Sequence, residues 1–290
     1  MDTITHTLFG LTLYGTVDKS NMDKRTKMAY LFTTVGASQI PDSDVISKFW
    51  DHEGMYQMWH RGITHSIFLS PIWALLLFLI CWYFFRVHDK RLFFLGWFAV
   101  FIHITSDLFN AWGTGYLEPF SQLRITFGTI PIIDFVFWII IGTAYILSRK
   151  GKKKKPLYFR MAWVLILLHV LIQSAEGYYL YLKYSNDYEQ IALSAEFIPT
   201  NFQIITKQDH TVTIFEDGIF KTKKKKYVLE SQEDANLDYL FENKPEAKTL
   251  YQWAPFVVIV ENEKQLGLYD PRFYRNGQSF LFEYTSPGTH

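Results

Sequence analysis

Residues 64–85 read THSIFLSPIWALLLFLICWYFF and contain no Asp, Glu, Lys or Arg. At about 1.5 Å per residue, a helix over this run can cross a hydrocarbon core of roughly 30 Å. Pro71 falls in the first turns of that helix, where proline is tolerated. The run therefore predicts a transmembrane helix.

Several other apolar runs follow the same logic. Those at 91–112, 131–148 and 160–182 predict three further spans. Two shorter runs, at 3–17 and 28–40, fall below the usual spanning length and predict thin, tilted or partly buried helices. The whole chain is 49% hydrophobic and 18% aromatic, which exceeds the content of an ordinary soluble domain and favours a membrane protein.

The pattern changes at about residue 190. Short alternating stretches bounded by Asp-Gly, Asn-Gly and proline turns predict antiparallel strands, for example at 211–215, 256–260 and 279–284. The predicted fold class is therefore mainly α. We expect a polytopic transmembrane helical bundle in residues 1–182, followed by a smaller soluble, β-rich (α+β) domain in residues 183–290.

The distribution of basic residues predicts the topology. Lys and Arg are concentrated in segments 18–27, 86–91 and 149–160 and are sparse in 41–63 and 113–130. By the positive-inside rule, the basic segments face the cytoplasm. We therefore expect an integral, multi-pass protein of the cell membrane whose N-terminus and C-terminal domain lie on the extracytoplasmic side.

Charge, the N-terminal residues and the cysteine count bear on binding partners, targeting and disulfide bonds. The 29 Lys and Arg nearly balance the 28 Asp and Glu, and the basic run Lys152 to Lys155 adjoins a predicted span. Attraction to lipid headgroups accounts for that run better than nucleic-acid binding does. Residues Met1 to His6 lack a basic n-region and a small-residue cleavage site, so no removable signal peptide is expected. The single cysteine, Cys81, excludes an intrachain disulfide.

Histidine and aspartate residues collect at the predicted outer ends of the helices within the first 110 residues. His103 and Asp107 are four apart, so both project from one helix face and could bind one ion or two adjacent ions. Ionisable groups inside an apolar span are costly unless they are paired or bind something. The predicted ligands of a divalent metal are His6, Asp42, Asp44, His60, His65, His103 and Asp107.

Two short motifs carry four of these ligands. Between His60 and His65, Gly62 permits a turn through which both imidazoles face one centre, whereas in a continuous helix the rings would point about 140° apart. The motif Pro41-Asp42-Ser43-Asp44 presents two carboxylates on a turn, and paired carboxylates can bridge two divalent ions. The structural alternatives are capping of a helix start and an Asx turn.

Other polar residues suit supporting roles or none. Asn110 could orient a ligand, Asp134 is a better candidate for that role, and Arg61 or Arg124 could meet an anionic substrate group. The remaining histidines lack a partner by spacing or fall in other regions, and we exclude them as ligands: His52, His88, His169, His210 and His290.

The ordered set of motifs resembles the bacterial membrane-bound, metal-dependent hydrolase family of the YdjM and YfhP type. The resemblance covers roughly residues 1–140, and the β-rich segment is similar to the C-terminal region of the longer YfhP-like members. Its motifs are Met1-Asp2, Thr5-His6, Gly10, Pro41-Asp42-x-Asp44, His60-Arg61-Gly62-x-Thr64-His65-Ser66, His103-x-x-x-Asp107, Asn110 and Gly113-Thr114.

That family is similar, distantly, to the zinc-dependent phospholipase C and P1 nuclease group. The helical domains of that group hold a small zinc cluster with His, Asp and a main-chain terminus, so the resemblance implies zinc. A His-x-x-x-Glu pair of that group has no counterpart here, because Gln173 follows His169 at the required spacing. This departure favours one or two ions over three.

These observations predict a membrane-bound, metal-dependent hydrolase. It would act on a phosphoester or related bond of a lipid or envelope substrate, with Asp44 and Asp107 as the catalytic carboxylates. The first alternative is a non-catalytic, metal-binding membrane scaffold or transporter, although the two related halves common in transporters are not visible in the sequence. The second is a protein whose β-rich domain carries the function by binding a protein or glycan.

Overall fold

The computed structural model of the chain describes residues 1–151 and 155–286. The basic residues Lys152 to Lys154 and the excluded His290 therefore lie outside the described residues. The chain forms two compact units. The first comprises Met1–Asp44, Arg61–Thr126 and Ile130–Gln173, and the second comprises Val45–His60, Phe127–Thr129 and the chain from Ser174 onward. The predicted domain boundary at residues 182 and 183 stays a prediction.

The N-terminal part of the chain is helical. Aspartates begin two of its helices: the Asp2 carboxylate accepts hydrogen bonds from the Ile4 and Thr5 amides, and the Asp23 carboxylate accepts one from the Thr26 amide. The helices are α1 (Thr3–Thr16), α2 (Lys24–Ala37), α3 (Tyr56–Trp59), α4 (Ser70–Ile80), α5 (Arg91–Asp107), α6 (Phe135–Lys150) and α7 (Lys155–Ser185). Two 3-10 segments, Ile40–Phe49 and Ile63–His65, lie between them, and a π-helical turn, Cys81–Phe85, follows α4.

Close helix packing builds the core of the first unit. In that unit α4 packs against α5, α1 packs against α2, and α2 packs against α5. A buried apolar cluster fills the space between them: Leu13, Ala37, Leu77, Ala99, Val100 and Ile104. The packing is closest at Gly10, where an added Cβ would lie 2.8 Å from both the Thr34 carbonyl oxygen and the Val35 Cα atom. Gly10 therefore sets how near α1 can approach α2.

The predicted polytopic, multi-pass bundle is wrong. In the described part of the chain, one helix, α7, is long and apolar enough to cross a bilayer. A second crossing arises only if the pair Tyr56–His65 and Ser70–Phe85 counts as one broken span, because its two parts are bent by 71°. Of the four predicted long spans, only the one at 160–182 lies within a helix of spanning length.

The correction has a physical reason, which is that the α-helices formed in the other apolar runs are too short to cross a bilayer. Residues 64–85 begin with a 3-10 turn, and α4 itself has 11 residues, about 17 Å at roughly 1.5 Å per residue. Helices α5 and α6 have 17 and 16 residues, so both are shorter than a hydrocarbon core of about 30 Å. Apolar composition was therefore a poor guide to where each helix ends.

The C-terminal region is β-rich. Four antiparallel strands form one sheet in the order β1 (Gln190–Ala195), β2 (Phe202–Gln208), β3 (Thr211–Gly218) and β4 (Lys221–Glu230). A second sheet contains β5 (Val258–Asn262), β6 (Gln265–Tyr269) and β9 (Phe282–Thr285), and β7 (Tyr274–Arg275) pairs with β8 (Gln278–Ser279). Helices α8 (Asp238–Asn243) and α9 (Pro245–Trp253) precede the second sheet. Buried residues from both sheets, together with Phe256 just before β5, share one core: Ile205, Val212, Ile214, Phe256, Val258 and Tyr269.

We predict that Gly10→Ala destabilises the protein by about 1–3 kcal/mol, because the new methyl group meets backbone atoms that cannot yield without moving α2. Gly142→Ala on α6 is the matched control, since an added Cβ there meets nothing within 4 Å. That change should be neutral or stabilising by up to about 1 kcal/mol. Denaturant unfolding of both variants in detergent measures the difference, and equal stability would contradict the packing described for α1 and α2.

Candidate metal centre

Helix α5 supplies two groups of the candidate site. His103 and Asp107 are 1% and 0% exposed, and the His103 Nε2 atom lies 3.7 Å from an Asp107 carboxylate oxygen. Their spacing of four residues places both on one helix face, as the sequence predicts. Asp107 is the last residue of the helix, so its carboxylate lies where the chain leaves α5.

A sharp turn brings His65 to the same point. Arg61 adopts a left-handed conformation with φ 57°, which is uncommon for a residue with a side chain, and the 3-10 segment Ile63–His65 follows. The His65 Nε2 atom lies 3.1 Å from the His103 Nε2 atom and 3.3 Å from an Asp107 oxygen. The turn thus aims an imidazole from a separate segment at the ligands on α5.

Asp42 completes a group of four residues. It lies in the 3-10 segment Ile40–Phe49, and one of its oxygens is 3.4 Å from His65 Nε2 and 3.5 Å from His103 Nε2. One ligand atom from each of Asp42, His65, His103 and Asp107 lies within 4.8 Å of the others. Two imidazole nitrogens and two carboxylates so close together could hold a divalent metal ion.

Buried atoms without hydrogen bonds test whether an ion fits. Within the described residues, both ring nitrogens of His6 and one carboxylate oxygen of Asp107 are buried and have no hydrogen-bond partner. The His6 ring stacks on the His103 ring at 3.7 Å, and its Nε2 atom lies 3.3 Å from the other Asp107 oxygen. Buried polar groups are nearly always satisfied, so these atoms fit a site in which an ion completes the arrangement.

Hydrogen bonds to the outer ring atoms fix the orientation of both imidazoles. The His103 Nδ1 atom lies 2.7 Å from the Ser38 carbonyl oxygen, which it can reach only as an N–H donor. In the neutral ring, the Nε2 atom of His103 then directs its lone pair towards the group of four. The His65 Nδ1 atom lies 3.0 Å from the Thr64 hydroxyl and 3.4 Å from an Asp44 oxygen.

Asp44 is therefore placed beside the group of four and not in it. The same Asp44 oxygen that faces His65 accepts hydrogen bonds from the Arg61 amide at 2.8 Å and from the Thr64 hydroxyl at 2.7 Å. These contacts link the turn at Arg61 to the ring of His65. Outer partners of this kind set the tautomer and orientation of a metal-binding histidine.

His60 is not brought to the group of four. It follows α3, and its ring stacks on that of Tyr56 at 5.5 Å between centroids. The positive φ of Arg61 redirects the chain just after it. The ligand roles predicted for His60 and Asp44, like those of the other residues, stay predictions.

Positive groups surround the buried Asp107 carboxylate. The Met1 amine contacts one of its oxygens, and the Arg61 Nε atom lies 3.4 Å from the other. Burial lowers the pKa of the Met1 amine to about 6, the Arg61 guanidinium adds to that effect, and Asp107 opposes both. Burial therefore weakens the compensation that the Met1 amine gives to Asp107.

Asp42 is held as a carboxylate. Burial alone would raise its pKa, but the close contacts of its carboxylate with His103 and His65 outweigh burial and bring the pKa of Asp42 well below its usual range. An ionised carboxylate is the form in which aspartate binds a metal ion. Asp42 thus stays available as a ligand across the physiological pH range.

The supporting residues named from the sequence divide into two groups. Asn110 accepts a hydrogen bond from Arg61 at 2.9 Å and lies 3.5 Å from an Asp107 oxygen, so it does adjoin the site. Asp134 instead caps α6 through the Val136 amide and contacts His169 at 2.8 Å, which gives that histidine a partner that its spacing did not reveal. Sequence reasoning also missed Ser38, because a backbone carbonyl leaves no side-chain signal.

We predict that His65→Ala and His103→Ala lose bound metal, because each removes a nitrogen from the group of four. His210→Ala is the control, since His210 is exposed in the turn after β2. Elemental analysis of the detergent-purified proteins measures the metal content per chain. Wild-type metal content in both site variants would contradict the ligand assignment.

Asp44→Asn should weaken metal binding by about 10–100-fold while leaving the four grouped residues intact, because it disturbs the contact that orients His65. Competition with a fluorescent zinc chelator measures the dissociation constant. A matched change at Asp51, whose carboxylate accepts amide hydrogen bonds from Met55 and Tyr56, should leave that constant unchanged. Equal affinity in Asp44→Asn and wild type would show that His65 needs no such support.

Comparison with known proteins places the chain in a family. Residues 1–179 match the family model described as YdjM inner membrane protein. The uncharacterized protein YfhP of Bacillus subtilis (strain 168) is 34% identical over 142 residues, which are 47% of this chain and 43% of that protein. The match thus spans less than half the length of that relative, and no solved structure matches.

The predicted resemblance to the YdjM and YfhP type is confirmed by these matches, although neither description names an activity or a metal. The family description supports a membrane location and therefore a bilayer environment. Because the family model covers more than half of its residues, the chain belongs to the YdjM inner membrane protein family.

Proposed function

We propose that the protein is a membrane-bound, metal-dependent hydrolase that acts on a phosphoester or related bond of a lipid or envelope substrate. The observation that carries the proposal is the buried group of Asp42, His65, His103 and Asp107, whose ligand atoms lie within 4.8 Å of one another. Zinc is the metal that we propose first, in one or two ions, because mixed imidazole and carboxylate ligands suit it.

A divalent ion at this site would supply Lewis acidity towards a phosphoryl oxygen and would lower the pKa of a water that it binds. The protein residues hold and orient it: His103 through Ser38, and His65 through Thr64 and Asp44. Asp107 is the carboxylate that we propose as proton acceptor, through the oxygen that the ion does not hold, because it belongs to the group of four. Asp44 is better suited to positioning His65, because its oxygen is already hydrogen-bonded.

An apolar groove in the first unit supports a lipid-like substrate. It has a volume of about 580 Å³, and its lining is almost wholly apolar, with Met1 and Phe109 among the residues that line it. Met1 also contacts Asp107 of the group of four, and the lining includes Thr16 and Arg160, which lie towards the far end of α1. Helix α1 is about 21 Å long at roughly 1.5 Å per residue, which suits an extended acyl chain with its polar end at the metal group.

We also propose an orientation for the region after α7. Basic residues are concentrated in 149–160, at the N-terminal end of the candidate span Lys155–Ser185. By the positive-inside rule that end faces the cytoplasm, so the β-rich region lies on the other side. The extracytoplasmic position predicted for the metal site depended on a multi-pass topology, and we do not retain it.

We predict turnover by the purified, zinc-loaded full chain on bis-p-nitrophenyl phosphate or on phospholipid vesicles. His103→Ala should reduce the rate by at least about 100-fold, because loss of a direct ligand exceeds the cost of losing an outer partner. His210→Ala should leave the rate unchanged. Release of nitrophenolate and phosphorus NMR of the vesicles measure the two reactions.

A protein that holds zinc at wild-type stoichiometry and yet turns over neither substrate would contradict the hydrolase proposal. That outcome would favour a non-catalytic metal site. The deep burial of three of the four grouped residues supports the same alternative. In that case removal of zinc should lower the unfolding temperature without any loss of enzymatic activity.

A further inference from the structure

Two loops at one end of the first sheet expose large apolar side chains. Residues 196–201 join β1 to β2, and residues 219–220 join β3 to β4. Because neighbouring strands are antiparallel, both loops lie at the same end of the sheet. Ile198, Ile219 and Phe220 are 65%, 59% and 87% exposed, which is costly in water for side chains of this size.

The two loops form one continuous surface. An added Cβ at Gly218 would lie 2.0 Å from the Thr200 carbonyl oxygen, so the backbones of the two loops are in direct contact. The first loop is also closed on itself by a hydrogen bond from the Glu196 amide to the Asn201 carbonyl oxygen at 2.9 Å. The exposed apolar residues are therefore held together by backbone contacts, and we call this surface the apolar tip.

The apolar tip is fixed beside the C-terminal part of α7. The Ile219 amide donates a hydrogen bond to the Glu176 carboxylate at 2.8 Å. On the adjacent strand residue, Asp217 accepts hydrogen bonds from Lys183 at 2.6 Å and from the Tyr184 hydroxyl at 2.9 Å. The tip is thus held level with residues 176–184 of the helix.

That level of α7 has the features of a membrane interface. The helix has 31 residues, about 46 Å at roughly 1.5 Å per residue, and so exceeds a hydrocarbon core of about 30 Å. Three tyrosines at its C-terminal end, Tyr178, Tyr179 and Tyr181, are exposed by 63%, 58% and 43%. Tyrosine is enriched at the height of lipid headgroups, where its apolar ring can contact lipid while its hydroxyl contacts water.

Lysines surround a pocket next to the apolar tip. The pocket has a volume of about 570 Å³, and Lys183, Lys221, Lys223 and Thr222 line it together with one carboxylate, Asp217. Lys183 pairs with Asp217, and Lys221 pairs with carboxylates of the neighbouring strands. Lys223 lies 4.5 Å and 4.4 Å above the rings of Tyr184 and Phe215. Among the described residues, Lys223 makes no ion pair, so it is the lysine of this lining best placed to bind an anionic ligand.

We propose that the apolar tip docks on the surface of the bilayer that α7 crosses, and that the lysine-lined pocket binds the phosphate headgroup of an anionic phospholipid. Ile198, Ile219 and Phe220 then enter the acyl region just below the headgroups. The lysines remain at the headgroup level, where each basic residue contributes about 1 kcal/mol to binding an anionic leaflet. This docking is independent of the metal centre and of any hydrolase activity.

Spin labelling of the full chain in vesicles tests the proposal. Cys81 is buried and is replaced by serine, so a nitroxide can be attached through Phe220→Cys alone. The matched control is His210→Cys, which lies in the turn after β2 at the opposite end of the same strands. In vesicles containing phosphatidylglycerol we expect the label at 220 to be accessible to oxygen and shielded from a water-soluble nickel complex, with the reverse at 210.

The lipid and charge dependence tests the headgroup site. The label at 220 should lie less deep in pure phosphatidylcholine and in a Lys223→Gln background, whereas Lys264→Gln in the exposed turn after β5 should change nothing. Equal depth in both lipids would overturn the headgroup assignment. If the label at 220 were as accessible to the nickel complex as the label at 210, the docking itself would be overturned. If Phe220→Cys does not fold, Ile198→Cys repeats the measurement.

One other occupant of the apolar tip is distinguishable. If a second copy of this chain covered the tip, labels at 220 would broaden one another, and dilution with unlabelled protein would sharpen the spectrum. If the label at 220 lost its shielding from the nickel complex on dilution with unlabelled protein, the proposal would be overturned. Shielding that persists at every dilution and deepens with anionic lipid would support it.

Discussion

The buried charge of Asp107 is the constraint on which the first unit depends. A carboxylate that is 0% exposed costs several kcal/mol unless other groups compensate it. Its compensation comes from distant parts of the chain: the Met1 amine, and Arg61 and His65 at the turn before α4. Satisfying one side chain therefore requires the start of α1, the turn at Arg61 and the end of α5 to meet at one point. The close approach of α1 to α2 at Gly10 serves the same requirement, since it holds α1 in the bundle that surrounds α5.

Hydrogen bonds within the protein do not satisfy all the buried polar atoms around Asp107. The Nε2 atoms of His65 and His103 are 3.1 Å apart, and the outer contact of His103 leaves its Nε2 atom without a proton when the ring is neutral. His65 can donate to one of its neighbours but cannot satisfy them all, and one Asp107 oxygen and both nitrogens of His6 lack a hydrogen bond within the described residues. A divalent cation could accept one lone pair from each residue of the group of four, so its binding would replace the close contact of the two Nε2 atoms with favourable contacts. We therefore expect metal binding and the stability of this unit to be linked.

Sequence reasoning succeeded for the site where polar residues interrupt apolar runs. His65, His103 and Asp107 stand out against their surroundings, and the structure brings them together with Asp42. The sequence could not tell which of Asp42 and Asp44 joins the group of four, because their directions depend on a 3-10 segment. At three residues per turn, two positions two apart point about 120° apart, so one carboxylate faces the group of four while the other faces the outer side of His65. Nor could spacing place His60, since the left-handed backbone falls at Arg61, which carries a side chain, and not at Gly62.

The failed prediction of the spans and the group of four have a common cause. His65 reaches the site only because a 3-10 turn replaces the first part of the apolar run 64–85, which leaves α4 with 11 residues. Asp107 reaches it as the last residue of α5, so that helix stops five residues before the apolar run ends at 112. Two of the polar residues that identified the candidate site, His65 and Asp107, thus lie where helices begin or end, whereas His103 lies within α5. By contrast, the run at 160–182 contributes no residue to the group of four, and it forms one uninterrupted helix of spanning length. In this chain the helices stop where His65 and Asp107 turn towards the group of four, so a count of apolar residues overstates the number of crossings in the runs that contain these two residues.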